Sequence, residues 1–401
     1  MVRLSLSMIV RDEAARIEAC LASVSGFVDE MVVVDTGSRD DTIAIAERCG
    51  ARVHRIEWPG DFAPARNQAL QWLQGEWVLV LDADERLLPQ AQEPLQRLMD
   101  EPDALLINLL RLEDGAQQSP YSSVSRLFRR HPAIRWSGAY HAMVDDSVTA
   151  LLQRESRWRV LQYPAPALSH TGYRAENLED GRKAAQLRQA MEAELSSRPD
   201  DPYACAKLGA LELSEGRPEQ AIALLERGLA ACPESAIAER YELLLHLGMA
   251  LTPSDPMAAC RHYRAAVALP LDGRLTLGAR LNLAALQLQS GDREAALTQA
   301  LRVTAEAPEY ALGWYNLGLI QRQRGELLAA IAAYRQAIQL NPTHPESHQN
   351  LAAACLLAGE IDSCREGFQQ AIDLLERQGR LEEANALAAE AGAMVRLPSR
   401  E

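Results

Sequence analysis

Three carboxylates close a run of apolar residues: Asp82, Asp84 and Glu85 follow Trp77, Val78, Leu79, Val80 and Leu81, with only Ala83 interposed. A short apolar, β-branched run bounded by a polar break is expected as a strand buried on both faces, as in a parallel or mixed sheet covered by helices. At the carboxyl end of such a strand, Asp-x-Asp offers hard oxygen ligands to Mg²⁺ or Mn²⁺. These ions take one or two protein carboxylates and fill the rest of their shell with water and substrate phosphate. The ligand that this chemistry asks for is a diphosphate. Acidic residues after a strand also serve in loops and helix caps, so the pair gains meaning only from the elements around it.

Those elements read as a doubly wound sheet. Leu4–Val10 is a first strand, and a helix opening at Asp12 or Glu13 carries Ile17, Cys20, Leu21 and Val24 at helical spacing. Residues 28–34 form a second strand closing on Asp35, a turn of small and capping residues leads into a helix over 43–49, and 51–56 is a third strand. This alternation binds a nucleotide across the carboxyl edge. The glycines follow neither Gly-x-Gly-x-x-Gly nor the Walker pattern, so a metal on Asp84 is the expected holder of the phosphates. Pro64 suits a first helical turn, which places Arg66 and Asn67 near a helix N-terminus at that same edge. A helix over 89–99 and an apolar strand over 104–112 follow.

A chain of 401 residues has room for two or three domains. With 41 basic and 55 acidic residues its net charge is −14, the wrong sign for a nucleic-acid binder. Seven cysteines without Cys-x-x-Cys spacing fit reduced thiols better than a disulfide framework or a zinc site. The first apolar stretch meets Arg11, Asp12 and Glu13 at once, so a signal peptide is not expected, and no run approaches the ~20 apolar residues of a membrane span. The expectation is a soluble, cytoplasmic protein, with peripheral attachment to the inner membrane left open.

Four motifs stand in order over about eighty residues: Ser7-Met8-Ile9-Val10-Arg11-Asp12-Glu13; Val32-Val33-Val34-Asp35-Thr36-Gly37-Ser38 with Asp41-Thr42; Ala65-Arg66-Asn67; and Val80-Leu81-Asp82-Ala83-Asp84-Glu85. Together they resemble the family 2 glycosyltransferases of the GT-A fold, and most of all the branch that includes lipopolysaccharide core β-glucosyltransferases and peptide S-glycosyltransferases. The resemblance implies inverting transfer of a sugar from a nucleotide-sugar donor, expected to be a UDP-sugar, with Mn²⁺ or Mg²⁺ as cofactor. It implies that Asp35 and Arg66, with Val10 beside them, hold the donor base, that Asp82 faces the ribose and sugar, and that Asp84 binds the metal.

Further on, Arg126-Leu127-Phe128-Arg129 and Gly138-Ala139-Tyr140-His141-Ala142 resemble family segments, the second of which reads Gly-x-x-His-Glu in the relatives. Ala142 stands where that glutamate is expected, and an inverting displacement needs a carboxylate to deprotonate the acceptor. Asp145 and Asp146 are the candidates to supply it from a neighbouring strand position; otherwise the acceptor is a thiol or another group needing little base assistance, or the domain is inactive. His141 either lines the site or is a satisfied structural histidine. His170, before Gly172 and Tyr173 in a segment that closes the family's catalytic domain, is the second candidate metal ligand after Asp84. Of Arg129 and Arg130, which point to opposite faces of a strand, at most one offsets diphosphate charge.

The second half is a repeat array. Leu208-Gly209, Leu247-Gly248, Leu283-Ala284, Leu317-Gly318 and Leu351-Ala352 recur at spacings of 39, 36, 34 and 34. Thirty-four is the tetratricopeptide period, and Trp314, Leu317, Gly318, Gly325, Ala330, Tyr334, Ala337 and Pro342 fit that pattern throughout. The expected organisation is a GT-A domain over 1–178, a linker helix over 179–200, five repeats over 201–380 stacked as a superhelix, and a capping helix over 381–401. The longer second spacing has room for an insert at 252–256. Asn282, Asn316 and Asn350, one per repeat, read as free concave-face groups suited to an extended peptide. A protein partner on the repeat groove is therefore expected, the alternative being a scaffold that makes a homodimer or supports the acceptor. The whole reads as an α/β nucleotide-binding domain followed by an all-α solenoid, acting on a peptide, protein or surface-glycan acceptor. Its rival is a catalytically weak transferase fold that serves as a binding scaffold.

Overall fold

The computed structural model describes residues 2–116, 119–138, 142–171 and 181–395, and the chain divides into two compact units, Met1–Leu211 and Glu212–Glu401. The first is built on an eight-stranded sheet of β1 (Leu4–Val10), β2 (Glu30–Asp35), β3 (Arg52–Arg55), β4 (Trp77–Val80), β5 (Glu85–Leu87), β6 (Ala104–Glu113), β7 (Tyr121–Arg129) and β8 (Arg159–His170). Their order is β3-β2-β1-β4-β7-β6-β8-β5. Strands β1 to β4 are parallel; β7 runs antiparallel to β4 and β6, and β8 runs parallel to β6 but antiparallel to β5. The chain winds from β1 out to β3 and returns as β4 on the other side of β1. The switch point thus falls between β1 and β4, where open α/β sheets take ligands beyond their carboxyl ends.

Strand β4 is buried on both faces, as its composition predicts. Trp77, Leu79 and Leu81 join one apolar cluster with Ile17 and Leu21 of α1 (Ile17–Val24), Ala46 of α2 (Thr42–Arg48), and Leu95 of a helix over Pro89–Met99. Val78 and Val80 join another with Ala63 and Ala69 of α3 (Phe62–Ala69). The helix over Pro89–Met99 is α4, and α5 (Asp145–Arg154) adds Val148 and Leu151 to the second cluster. Period-two alternation along the strand therefore feeds two layers of helices.

Two placements differ from expectation. Asp61 accepts the Ala63 N–H at 3.0 Å and caps α3, so Arg66 lies in the last turn of this eight-residue helix rather than the first. Asp145 and Asp146 open α5 instead of lying on a strand. Val144, Val148 and Leu151 recur at helical spacing and are all buried, which decides the conformation. A third feature was not foreseen. Ile107 faces Leu127 and Leu109 faces Val124, so Ser125 and Arg126 together stand opposite Asn108 in a β-bulge.

In the second unit, helices alternate as Ile237–Leu251 and Pro256–Val267, Leu277–Gln289 and Arg293–Glu306, Ala311–Gln323 and Leu327–Leu340, then Pro345–Ala358 and Ile361–Arg377, closed by Leu381–Met394. Close approach explains the recurring small residue. A Cβ on Gly248 would come within 2.4 Å of the Tyr263 ring, and one on Gly318 within 2.6 Å of Tyr334. The extra length of the second spacing falls mostly in the connection 268–276, which contains a 3₁₀ turn, rather than at 252–256. The three asparagines are engaged, not free. Asn316 donates to the Leu312 carbonyl at 2.8 Å, Asn350 to the Glu346 carbonyl at 2.9 Å and to the Tyr315 hydroxyl at 3.2 Å, and Asn282 is hydrogen-bonded to Tyr263. All seven cysteines are free thiols, and among the described residues no helix is long and apolar enough to cross a membrane.

Candidate active site

Asp82 stands just beyond β4. Its carboxylate accepts from Arg66 Nη2 at 2.8 Å and from Arg126 Nη2 at 2.6 Å. The two arginine side chains are 10% and 13% exposed and that of Asp82 is 38%, so the carboxylate is the open face of a buried cationic pocket. Burial would raise the Asp82 pKa, but Arg126 and Arg66 more than reverse this and hold it well below the usual carboxylate range. Arg126 reaches Asp82 from the bulge in β7. Arg66 lies 4.7 Å over the Trp136 ring, whose backbone is fixed by two 2.9 Å hydrogen bonds to the Asn67 amide. Arg66 Nε is buried with no partner among the described residues, an unmet donor that suits an anionic ligand.

A second cluster adjoins the first. Strand pairing sets His170 beside both Glu85 and Glu113. His170 Nδ1 is 2.6 Å from Glu113 Oε2 and its Nε2 is 3.3 Å from Asp84 Oδ2. Arg111 Nε donates to Glu113 Oε1 at 2.9 Å, and its guanidinium also pairs with Glu85. Glu85 Oε2 in turn accepts the Asp82 N–H at 2.9 Å. Because Glu85 follows Asp84 in the chain, the five side chains form a closed circuit: Asp84, His170, Glu113, Arg111, Glu85.

Burial would depress the His170 pKa, but its hydrogen bonds to Asp84 and Glu113 outweigh that and push it up to about 9. For Asp84, burial works upward and the bond from His170 prevails, leaving the carboxylate ionised. A raised folded-state pKa stabilises the metal-free protein fully below the unfolded value of about 6.5, and the stabilisation is lost as pH rises through about 9. In denaturant titrations of metal-free protein, the stability gap between the native chain and His170→Ala should therefore be widest near pH 6 and close above pH 9. A gap independent of pH would contradict this assignment.

Two donors, Asp84 Oδ2 and His170 Nε2, are near enough to share one ion. Among the described residues no group of three or more His, Cys, Asp or Glu is arranged to hold a metal. The pair fits an ion that completes its shell with substrate oxygens, not a self-contained cage.

The remaining predicted residues are distributed as follows. Val10 and Asp35 pair across β1 and β2 at the same carboxyl edge. The Asp35 carboxylate accepts the Gly37 and Ser38 N–H groups at 3.0 and 3.1 Å, and the Val10 carbonyl accepts Thr36 N–H at 3.0 Å. Asp145 accepts from Ser125 Oγ at 2.7 Å, next to Arg126 in the bulge; its Oδ2 is buried with no partner among the described residues, and burial raises its pKa. Asp146 is exposed and bonded to Ser137 Oγ at 2.9 Å. His141 lies outside the described residues. Neither Arg129 nor Arg130 faces the pocket. Arg129 pairs with Glu76 and lies 4.7 Å over the Trp77 ring, and Arg130 donates to the Gly75 carbonyl at 2.8 Å, all at the opposite end of β4.

Arg111 and Glu113 escaped the sequence reading, and Arg126 was noted there only as the start of a segment that resembles the family's. Arg111 and Glu113 carried a signal: two charges, two residues apart, in a largely apolar strand, hence on one face. The role of Arg126 was not legible, because its direction depends on the bulge.

An α/β sheet with an acidic pair and buried arginines at its switch point, followed by stacked helix pairs, matches known families on both counts. Residues 5–161 match glycosyl transferase family 2, and 311–344 and 333–366 match tetratricopeptide repeats. The chain thus carries a family 2 glycosyltransferase domain followed by tetratricopeptide repeats. A TPR repeat-containing protein of Synechococcus elongatus is 43% identical over 381 residues, 94% of each chain. An uncharacterized glycosyltransferase of Rickettsia felis is 32% identical over 157 residues, 37% of this chain and 55% of that one. The SPbeta prophage-derived glycosyltransferase SunS of Bacillus subtilis is 26% identical over 144 residues, 34% of each.

Proposed function

We propose that the first domain transfers a hexose from a nucleoside diphosphate sugar, by preference a UDP-sugar, to a peptide, protein or surface-glycan acceptor, with inversion and release of the nucleoside diphosphate. The observation that carries this reading is the pocket of Arg66, Arg126 and Asp82 beside Asp84 and His170 at the switch point. Arg66 and Arg126 offset the charge of the diphosphate, Val10 and Asp35 border the base, and Asp82 contacts the ribose and sugar. Asp84 and His170 would hold Mn²⁺ or Mg²⁺, which when bound supplies electrostatic stabilisation of the leaving diphosphate.

Asp145 takes the acceptor proton. Its unmatched, solvent-shielded oxygen and raised pKa suit a general base, and they weigh against the inactive-fold reading suggested by Ala142. The repeats present the acceptor.

Calorimetric titration of UDP, GDP and dTDP in Mn²⁺, then in EDTA, tests the donor reading. One nucleotide should bind in Mn²⁺, and EDTA or Asp84→Ala should weaken it at least about tenfold, as expected for loss of a metal contact. Absence of binding by any of the three nucleotides would overturn the proposal.

A further inference from the structure

The circuit behind Asp84 has one member whose position explains the others. Glu113 ends β6 and is 5% exposed, so its charge is held away from water. Its two oxygens are divided: Oε1 takes Arg111 Nε and Ser122 Oγ, while Oε2 is 2.6 Å from His170 Nδ1. The parallel pairing of β6 with β8 places Glu113 directly beside His170, and the antiparallel pairing of β5 with β8 places Glu85 on its other side. Arg111, held by both carboxylates, locks Glu113 from behind. The imidazole is thereby oriented with Nε2 toward Asp84.

The geometry points to Glu113 as the positioning residue of the metal centre, a buried carboxylate that accepts the Nδ1–H of His170 and so reserves Nε2 for the cation. This inference rests on the metal reading above. Carboxylates in this position behind a ligating histidine fix its tautomer and orientation and strengthen it as a ligand. Arg111 holds Glu113 in place and prevents it from turning away, at a distance from the cation. Glu113 touches neither substrate nor metal; it acts through His170.

The experiment measures Mn²⁺ affinity of the full chain, by electron paramagnetic resonance of free Mn²⁺ with UDP present, for native protein, Glu113→Gln, His170→Ala and the double variant. Native protein should bind Mn²⁺, and Glu113→Gln should weaken it 10- to 100-fold. In the His170→Ala background the second change should cost little further, because the proposed action of Glu113 on the cation runs through His170. Imidazole ¹⁵N shifts of metal-free protein supply a readout that a purely structural role would not move: the Nδ1–H signal of His170 should be altered in Glu113→Gln while the melting transition is retained. If Glu113→Gln binds Mn²⁺ as native protein does while His170→Ala does not, the inference falls and the metal reading stands. Equal losses that add in the double variant would likewise overturn it. If neither Asp84→Ala nor His170→Ala weakens Mn²⁺, the metal reading fails and this inference falls with it.

Discussion

Asp145→Asn should lower sugar transfer by about 10² to 10⁴, the range that a positioned general base supplies, with nucleotide binding unchanged. The residue is placed for this by three independent circumstances. It starts α5, whose buried Val148 and Leu151 anchor that helix to the sheet. Ser125 holds one of its oxygens at 2.7 Å, and Ser125 adjoins Arg126, which touches Asp82. Its other oxygen is shielded and unmatched among the described residues. Burial raises the Asp145 pKa, whereas Asp82 and Asp84 are lowered, so the acid limb of the rate profile is expected to report Asp145 and to lie above the ordinary aspartate value of 3.8. Activity falls as pH drops through that limb. Asp146→Asn, at an exposed position bonded to Ser137, should leave the rate within a few-fold. Activity of Asp145→Asn within threefold of native would remove Asp145 from the mechanism and return attention to a thiol acceptor.

The second large effect concerns stability. Glu85→Ala should cost the first unit about 3–5 kcal/mol, because it removes a fully buried carboxylate from a buried ion-pair network and leaves Arg111 with Glu113 alone. Glu85 is fully buried and pairs with Arg111, whose side chain is 16% exposed; it also accepts the Asp82 N–H. For a unit of this size the loss corresponds to a fall of roughly 10 °C in its melting transition, read by calorimetry. Glu93→Ala, which removes an open surface pair with Arg97, should change nothing measurable. If Glu85→Ala melts within about 2 °C of native, a threshold well below that expectation, the circuit is not what holds the segment from Asp82 to Glu85 in place.

Much of this was legible in the chain. The apolar β4 run announced burial on both faces, and the structure puts Trp77, Leu79 and Leu81 on one and Val78 and Val80 on the other. The 34-residue period announced the helix pairs, because Gly248 and Gly318 leave room for tyrosines that nothing larger would admit. What stayed hidden depended on tertiary register. The expectation of a strand at Asp145 failed because a five-residue stretch near Ala142 carries no period of its own, whereas the apolar residues beyond it do. Arg129 and Arg130 drew attention as paired cations, yet the antiparallel run of β7 carries them to the wrong end of β4. The asparagines recur by period, but period alone does not say whether an amide is already satisfied by its own helix.

The bulge in β7 makes residue count as informative as residue type. On either side of Ser125–Arg126 the strand alternates in opposite phase, so the same side chains would face other directions were one residue deleted there. Arg126 would turn from Asp82, and Ser125 would release Asp145, in a single step. The arginine that meets Asp82 and the serine that meets Asp145 thus depend on the same extra residue, and a related chain that lacks it is expected to have reassigned both.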